Sequence, residues 1–260
     1  MRRKFATNLA FLITVNLLVK PYFIFGIDRV VQNKVGPDAY GAYFVALNTS
    51  FLLSIVLDFG ITNFNNRAIS RNNKRLGEYL VNLLMIKFFL SIIYFVLTFV
   101  TGWATNFDSV KMTMLFYLAL NQIILSLILY LRSNIAALQM FKTDSVLSTL
   151  DRLLAIAFCM GLIYLPAFKS SFNIMWFIYA QLAGLLITTV VALIIIIRKS
   201  VIKFSFWKGK YTRMILLKSA PFATLTLLMG VYYRIDAVMI ARIYPNGDHE
   251  AGIYAASFRL

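Results

Sequence analysis

The sequence predicts an all-α, polytopic bundle of about seven transmembrane helices with its first residues in the cytoplasm, and three observations predict it. Of 260 residues, 60% are apolar and 14% charged, with a mean hydropathy of +0.77. Soluble domains carry nearer a quarter charged residues, and a water-soluble core of this size could not hide so much apolar surface. The apolar residues fall into runs of the roughly 20 residues that a bilayer core requires. The net charge of +16 is packed into the short gaps between those runs. A basic face or stripe would suggest nucleic acid; this gap pattern reads instead as membrane topology with anionic lipid head groups as counter-charge.

The expected spans run over about 5–31, 42–62, 79–102, 111–131, 146–167, 174–197 and 215–243, with an eighth beginning near Gly252. The opening Met1-Arg2-Arg3-Lys4 resembles a secretory signal, but the first run ends in Lys20-Pro21-Tyr22 and not in a small-residue cleavage site. It reads as an uncleaved first helix. Alternate gaps hold sixteen Lys and Arg against four, and the richer set includes the N-terminal tail. The positive-inside rule therefore places the N-terminus in the cytoplasm. Gaps on the other side are short and carry turn residues such as Gly36-Pro37-Asp38 and Pro245-Asn246-Gly247-Asp248.

Residues 198–217 are basic and aromatic, with Lys203, Phe204, Phe206, Trp207, Lys208 and Tyr211. They read as a linker on the inner membrane surface. The expected organisation is a six-helix lobe over 1–197, that linker over 198–217, and the start of a second lobe over 218–260.

An internal echo supports the division. Ile27-Asp28-Arg29-Val30-Val31, Pro37 and Gly41-Ala42-Tyr43 are answered by Ile235-Asp236-Ala237-Val238-Met239, Pro245 and Gly252-Ile253-Tyr254. In both copies the Asp ends one span and the Gly-x-Tyr opens the next, on the same expected side. Parallel repeats of this kind are a transporter signature.

Polar groups inside a membrane are costly and call for a partner or a wet cavity. Asn16, Lys20 and Asp28 fall within about 120° of one another around an ideal helix, and Asn48, Asp58, Thr62 and Asn65 within about 100° on the next span. Two polar stripes on consecutive helices predict a shared interior. Lys87, Asp151-Arg152, Arg234 and Asp236 are further intramembrane ionisable groups. Lys87, Arg29 and Asp151-Arg152 lie nearer helix ends, where long side chains reach the interface. Pro21 and Pro221 are candidate bends.

Other chemistry is disfavoured. No phosphate loop, Gly-x-Ser-x-Gly, HExxH or dinucleotide fingerprint occurs, and zinc spacing is absent. The single cysteine, Cys159, lies in an apolar run, and the single histidine, His249, in a short loop. No cofactor or metal is expected, and the residues do not suggest an enzyme.

Val35-Gly36-Pro37-Asp38-Ala39-Tyr40-Gly41-Ala42-Tyr43, the later Leu57-Asp58-Phe59-Gly60-Ile61, Arg67 with its basic loop, and Tyr233-Arg234-Ile235-Asp236 leading to Ala251-Gly252-Ile253-Tyr254-Ala255-Ala256 together resemble Wzx-type polysaccharide-unit flippases. Gln139-Met140-Phe141, within 132–145, sits where these proteins carry a short inner-surface helix. The resemblance implies the MOP superfamily, which includes MATE exporters, and two six-helix lobes around a central cavity. This chain stops at the eighth helix where the family runs to 12 or more, so the resemblance implies a MATE-like N-terminal lobe and the start of its partner. It implies movement of undecaprenyl-pyrophosphate-linked oligosaccharide across a bacterial cytoplasmic membrane by alternating access, for surface polysaccharide such as O-antigen, capsule or exopolysaccharide. The implied partners are that substrate, membrane lipids, and polysaccharide polymerase and chain-length machinery. On this basis Lys20, Arg29 and Arg234 are expected to form a cationic cavity, and Asp28, Asp58 and Asp236 to pair helices or couple transport. Two alternatives stand beside it: a MATE-like exporter of small organic cations, which should prefer acidic cavity groups, and a membrane-bound enzyme of glycan assembly, which should carry a long external loop.

Overall fold

In a computed structural model the chain is helical throughout its described residues, which are 14, 16–72, 76–165, 172–199, 224 and 228–258. The linker expected over 198–217 and the bend at Pro221 fall almost wholly outside them.

The first helix, α1, covers residues 16–21 and runs into a π-helical turn, Tyr22–Asp28. Pro21 immediately precedes that turn. Proline has no N–H to donate and crowds the carbonyl four residues back. The ladder relaxes to wider i→i+5 bonds, a device common at functional positions.

The next helix, α2 (Arg29–Leu53), is broken at Gly36, whose φ of 84° and ψ of 166° are not helical. Glycine tolerates this conformation because it has no Cβ. The chain reverses there: the Tyr40 hydroxyl donates to Asp28 Oδ2 across 2.9 Å. An unbroken helix would hold residues twelve apart about 18 Å from one another. The apolar stretch Asn16–Leu57 therefore contains two antiparallel spans.

A 3-10 turn, Ser54–Leu57, closes the second span, and a turn with Phe59 and Gly60 at positive φ leads into α3, Ile61–Arg71. This corrects the expected span over 42–62. Thr62 and Asn65 lie on a separate short helix, not on a stripe continuous with Asn48. Conversely, no separate helix occupies 132–145: α5 (Ser109–Ala137) continues through Arg132, and α6 (Phe141–Tyr164) starts after a tight turn with Gln139 at φ 61°.

Helices α4 (Leu76–Ala104), α5, α6 and α7 (Ile174–Lys199) are long and apolar enough to cross a bilayer. On α4, Phe88, Phe89, Ile92, Ile93, Val96 and Val100 form an exposed stripe, while Leu80, Leu83, Ile86 and Tyr94 are buried. Lipid is the natural solvent for the exposed stripe, since the backbone's polar groups are satisfied within the helix. Asp108 caps α5 by accepting from the Lys111 N–H at 3.2 Å.

Two apolar clusters hold the helices together. One joins Phe23, Ile27 and Tyr43 to Leu115, Leu118, Cys159 and Phe177. The other joins Ile61, Leu83, Tyr130 and Leu131 to Leu147, Ala192 and Ile196. The chain closes with α8 (residues 228–243) and α9 (Gly247–Phe258), and α9 packs along α2.

Candidate functional site

A cavity of about 380 Å³ opens between α1, α2, α5, α6, α7 and α8. Its polar lining is Lys20, Asp28, Asn121, Gln122, Asp151, Arg152, Gln181 and Arg234, set among Phe23, Tyr43 and Phe51. Three cations thus face two carboxylates. Arg152 lies 3.6 Å from Asp151 and over the Phe23 ring at 4.8 Å. Asp28, at 3% exposure, is held by Tyr40. Arg234 meets only neutral groups: it donates to Asn48 Oδ1 at 3.2 Å and lies 4.6 Å from the Phe51 ring centre. Among the described residues no carboxylate lies within ion-pair distance of Lys20 or Arg234. Arg234 is half-buried, and a cation so placed without a counter-charge draws an anion; Lys20 is exposed in the cavity lining.

A second cavity of about 710 Å³ adjoins the first, and Phe51, Gln122, Leu125 and Arg234 line both. One face of α5 forms the common wall. Leu118, Asn121, Gln122, Leu125, Ser126, Leu129, Arg132, Ser133 and Ala136 succeed one another along it at helical spacing. The larger cavity is rich in neutral polar groups, including Thr62, Asn63, Asn66, Ser126 and Ser133. Its charges are mostly paired. Arg132 binds Asp144 at 2.7 Å, and Lys87 binds Asp58 at 2.9 Å. The Lys87 ammonium also donates to Leu57 O at 3.1 Å and Ser126 Oγ at 2.8 Å, which uses all three of its donors. Asp58 further accepts from the Thr62 hydroxyl, so the pair fastens the turn between α2 and α3.

The opposite end of the bundle is shut. A Cβ on Gly41 would collide with Asp248 O, and one on Gly252 with Pro37 O. Aligning Gly41 with Gly252 also aligns Pro37 with Asp248, so these are one contact made in both directions, the mark of a local two-fold relation. The Asp of each repeat copy accepts from a tyrosine, Asp28 from Tyr40 and Asp236 from Tyr254 at 3.1 Å. Around the crossing, Lys111 pairs with Asp248 at 2.6 Å, and His249 Nδ1 lies 3.0 Å from Asp38. Gln32 donates to Gly252 O at 3.0 Å, and Arg242 to Ala104 O at 3.2 Å.

The structure thus brings together Lys20, Asp28 and Arg234 of the expected set. Arg29 is not with them: it is exposed, donates to Gln32 at 3.1 Å and lines neither cavity. Arg29 is expected from the resemblance alone; α-helical spacing puts it about 100° around the helix from Asp28, off the arc of Asn16, Lys20 and Asp28. Asn16 donates to Ser148 on α6 and also stays outside the cavity. Asp58 lines the larger cavity, and Asp236 is exposed beside Tyr254. Sequence reasoning passed over Asn121, Gln122 and Gln181. The signal for the first two was present, as a polar dipeptide in the middle of an apolar span.

The family model described as polysaccharide biosynthesis protein matches residues 5–260. Two solved structures share the fold. One is a MOP superfamily transporter from Pyrococcus furiosus, described as having a binding pocket of reversed polarity, at TM-score 0.60 and 12% identity. That alignment covers 97% of this chain and 58% of the other. The second is a proline-to-alanine mutant of a MATE protein, at TM-score 0.58 and 13% identity, covering 97% and 59%. This chain therefore spans somewhat under three-fifths of their length, and its fold is that of the MOP and MATE superfamily. No curated protein matches it.

Proposed function

The chain belongs to the polysaccharide biosynthesis protein family, and on that premise we propose that it moves lipid-linked oligosaccharide units, joined through a diphosphate to a polyprenyl carrier, across the cytoplasmic membrane. The observation that carries the reading is the pairing of Lys20 and Arg234. They come from α1 and α8, the helices that lead into the two copies of the repeat, and line one cavity with no carboxylate against either among the described residues. A diphosphate is the group such a pair recognises. Arg152 joins them as a third cation, half-neutralised by Asp151. The neutral, amide- and hydroxyl-lined larger cavity has room and chemistry for sugars. The end bearing Arg67, Arg71 and Arg132 faces the cytoplasm on the positive-inside rule, and loading starts there. Exporters of organic cations need the opposite balance of charge.

The test is the lipid-linked glycan in cells lacking the gene. The unit should accumulate on the inner leaflet, and restoring the gene should return it to the outer leaflet, where an impermeant lectin labels it. Lys20→Ala and Arg234→Ala should each cut that labelling by at least tenfold at unchanged protein level. Full labelling with both changes together would overturn the reading.

A further inference from the structure

Asn121 and Gln122 are neighbours on α5, each 5% exposed, and both line the smaller cavity. Neither has a hydrogen-bond partner among the described residues, and Asn121 Oδ1 is fully buried. Other polar side chains on this helix settle differently. Asn134 Nδ2 turns back to Tyr130 O at 2.9 Å, and Ser133 Oγ donates to the same carbonyl at 2.7 Å. Asn121 could do likewise with the carbonyl one turn back, and does not. A buried amide without a partner destabilises a protein, and such groups concentrate where a ligand completes them.

Asn121 and Gln122 differ from the charged groups of the cavity wall, and from Gln181, whose amide already donates to the Tyr43 hydroxyl at 3.3 Å. Lys20, Arg152 and Arg234 can only donate, and Asp28 and Asp151 as carboxylates can only accept. An amide does both within one planar group. Sugar hydroxyls and acetamido groups need both at once, and a bare diphosphate does not. Position agrees with chemistry: Gln122 and Arg234 line both cavities, so Gln122 stands where the cationic chamber opens into the larger, neutral one. The sugar bonded directly to an anion held by Lys20 and Arg234 falls at that junction.

Resting on the function proposed above, we propose that Asn121 and Gln122 form the subsite that reads the first sugar ring attached to the diphosphate. The cations then hold any polyprenyl diphosphate alike, and the amide pair discriminates among glycans. Sites built to hydrogen-bond a substrate reject analogues that leave those bonds unmade.

The experiment measures Kd for three probes on the purified protein in lipid nanodiscs: farnesyl diphosphate, and the same lipid carrying glucose or N-acetylglucosamine. At least one glycosylated probe should bind the wild type tenfold or more tighter than the bare diphosphate. Asn121→Leu and Gln122→Met keep side-chain size and remove hydrogen bonding. Each should bring that ratio to within about twofold and leave the bare diphosphate unchanged. Each should also hold or raise the ligand-free Tm, since neither amide has a partner among the described residues. Lys20→Ala should weaken all three probes and preserve the ratio. A wild type that holds farnesyl diphosphate without preferring sugar would overturn the subsite alone. Variants that lower Tm and keep the preference would overturn it too, marking the amides as structural. No binding of any diphosphate by the wild type would bring down the proposed function and the subsite together.

Discussion

At the residue scale the membrane sorts polar side chains by whether the protein answers them. Lys87 is answered in full, by a carboxylate, a carbonyl and a hydroxyl. Its role is to hold the joint between α2 and α3, and its removal leaves Asp58 without its counter-charge. Breaking one side of a fully buried pair typically costs about 3–5 kcal/mol, and less where, as here, the surviving carboxylate is 32% exposed. Lys87→Met should therefore unfold at lower temperature in a thermal melt, and adding Asp58→Leu should recover part of the loss. Arg234 is the contrasting case, since its partners Asn48 and Phe51 are neutral. Arg234→Met should change stability little and remove anion binding, read as loss of farnesyl diphosphate affinity against an unchanged melt. The sequence made both residues conspicuous, because a charge in an apolar run stands out. It did not show which was answered, because the partners of Lys87 lie 29 and 39 residues away. Asn121 and Gln122 were harder to see, because uncharged amides disturb an apolar run less than charges do.

At the element scale, the length of apolar runs located the long spans and failed where the chain turns inside such a run. Span ends over 79–102 and 174–197 lie close to those of α4 and α7, the most apolar of the membrane-length helices. Arg29 is expected from the resemblance and not from its spacing, and the error over 42–62 came from the turn at Asp58-Phe59-Gly60. Apolar residues on both sides of that turn imitate an unbroken helix, while the glycine that breaks it is a single letter. The repeat was legible for a sound reason: its glycines are fixed by backbone contact and cannot drift into larger residues. Gly41→Leu or Gly252→Leu should stop α9 from lying against α2, because the obstructing atoms are backbone and cannot move aside. Gly230 provides the control, with open space around its missing Cβ. Gly230→Ala should be neutral or stabilising by about 1 kcal/mol, the usual helical preference for alanine. Disulfide formation between Asp38→Cys and His249→Cys reports the crossing: it should form readily in the parent and in Gly230→Ala, and fail with either leucine.

On the scale of the whole molecule, the two ends of the bundle are unlike. One end holds a cavity of about 710 Å³, continuous with the cationic chamber. The other is closed by two glycines and a ring of polar contacts. The polar part of that closure is weak: the Lys111–Asp248 pair is 22% and 32% exposed, and ion pairs with that access to solvent contribute about 1 kcal/mol or less. Its apolar part is firmer, because the glycines let α9 lie along α2, where the Phe44 ring meets Tyr254 edge-on at 6.5 Å and Ala255 shares a buried cluster with Tyr40 and Ala42. Alternating access around a fixed site requires these two elements to part. If transport passes this end, the disulfide between Asp38→Cys and His249→Cys should do more than report the crossing. Oxidised, it should abolish appearance of the glycan on the outer leaflet, and a reductant should restore it. A reagent directed at Asn66→Cys, in the wall of the larger cavity, should react equally well in both states, since the lock leaves that end open. Undiminished transport by the oxidised protein would mean that α2 and α9 never part, and that the substrate leaves by a route other than the one the repeat brackets.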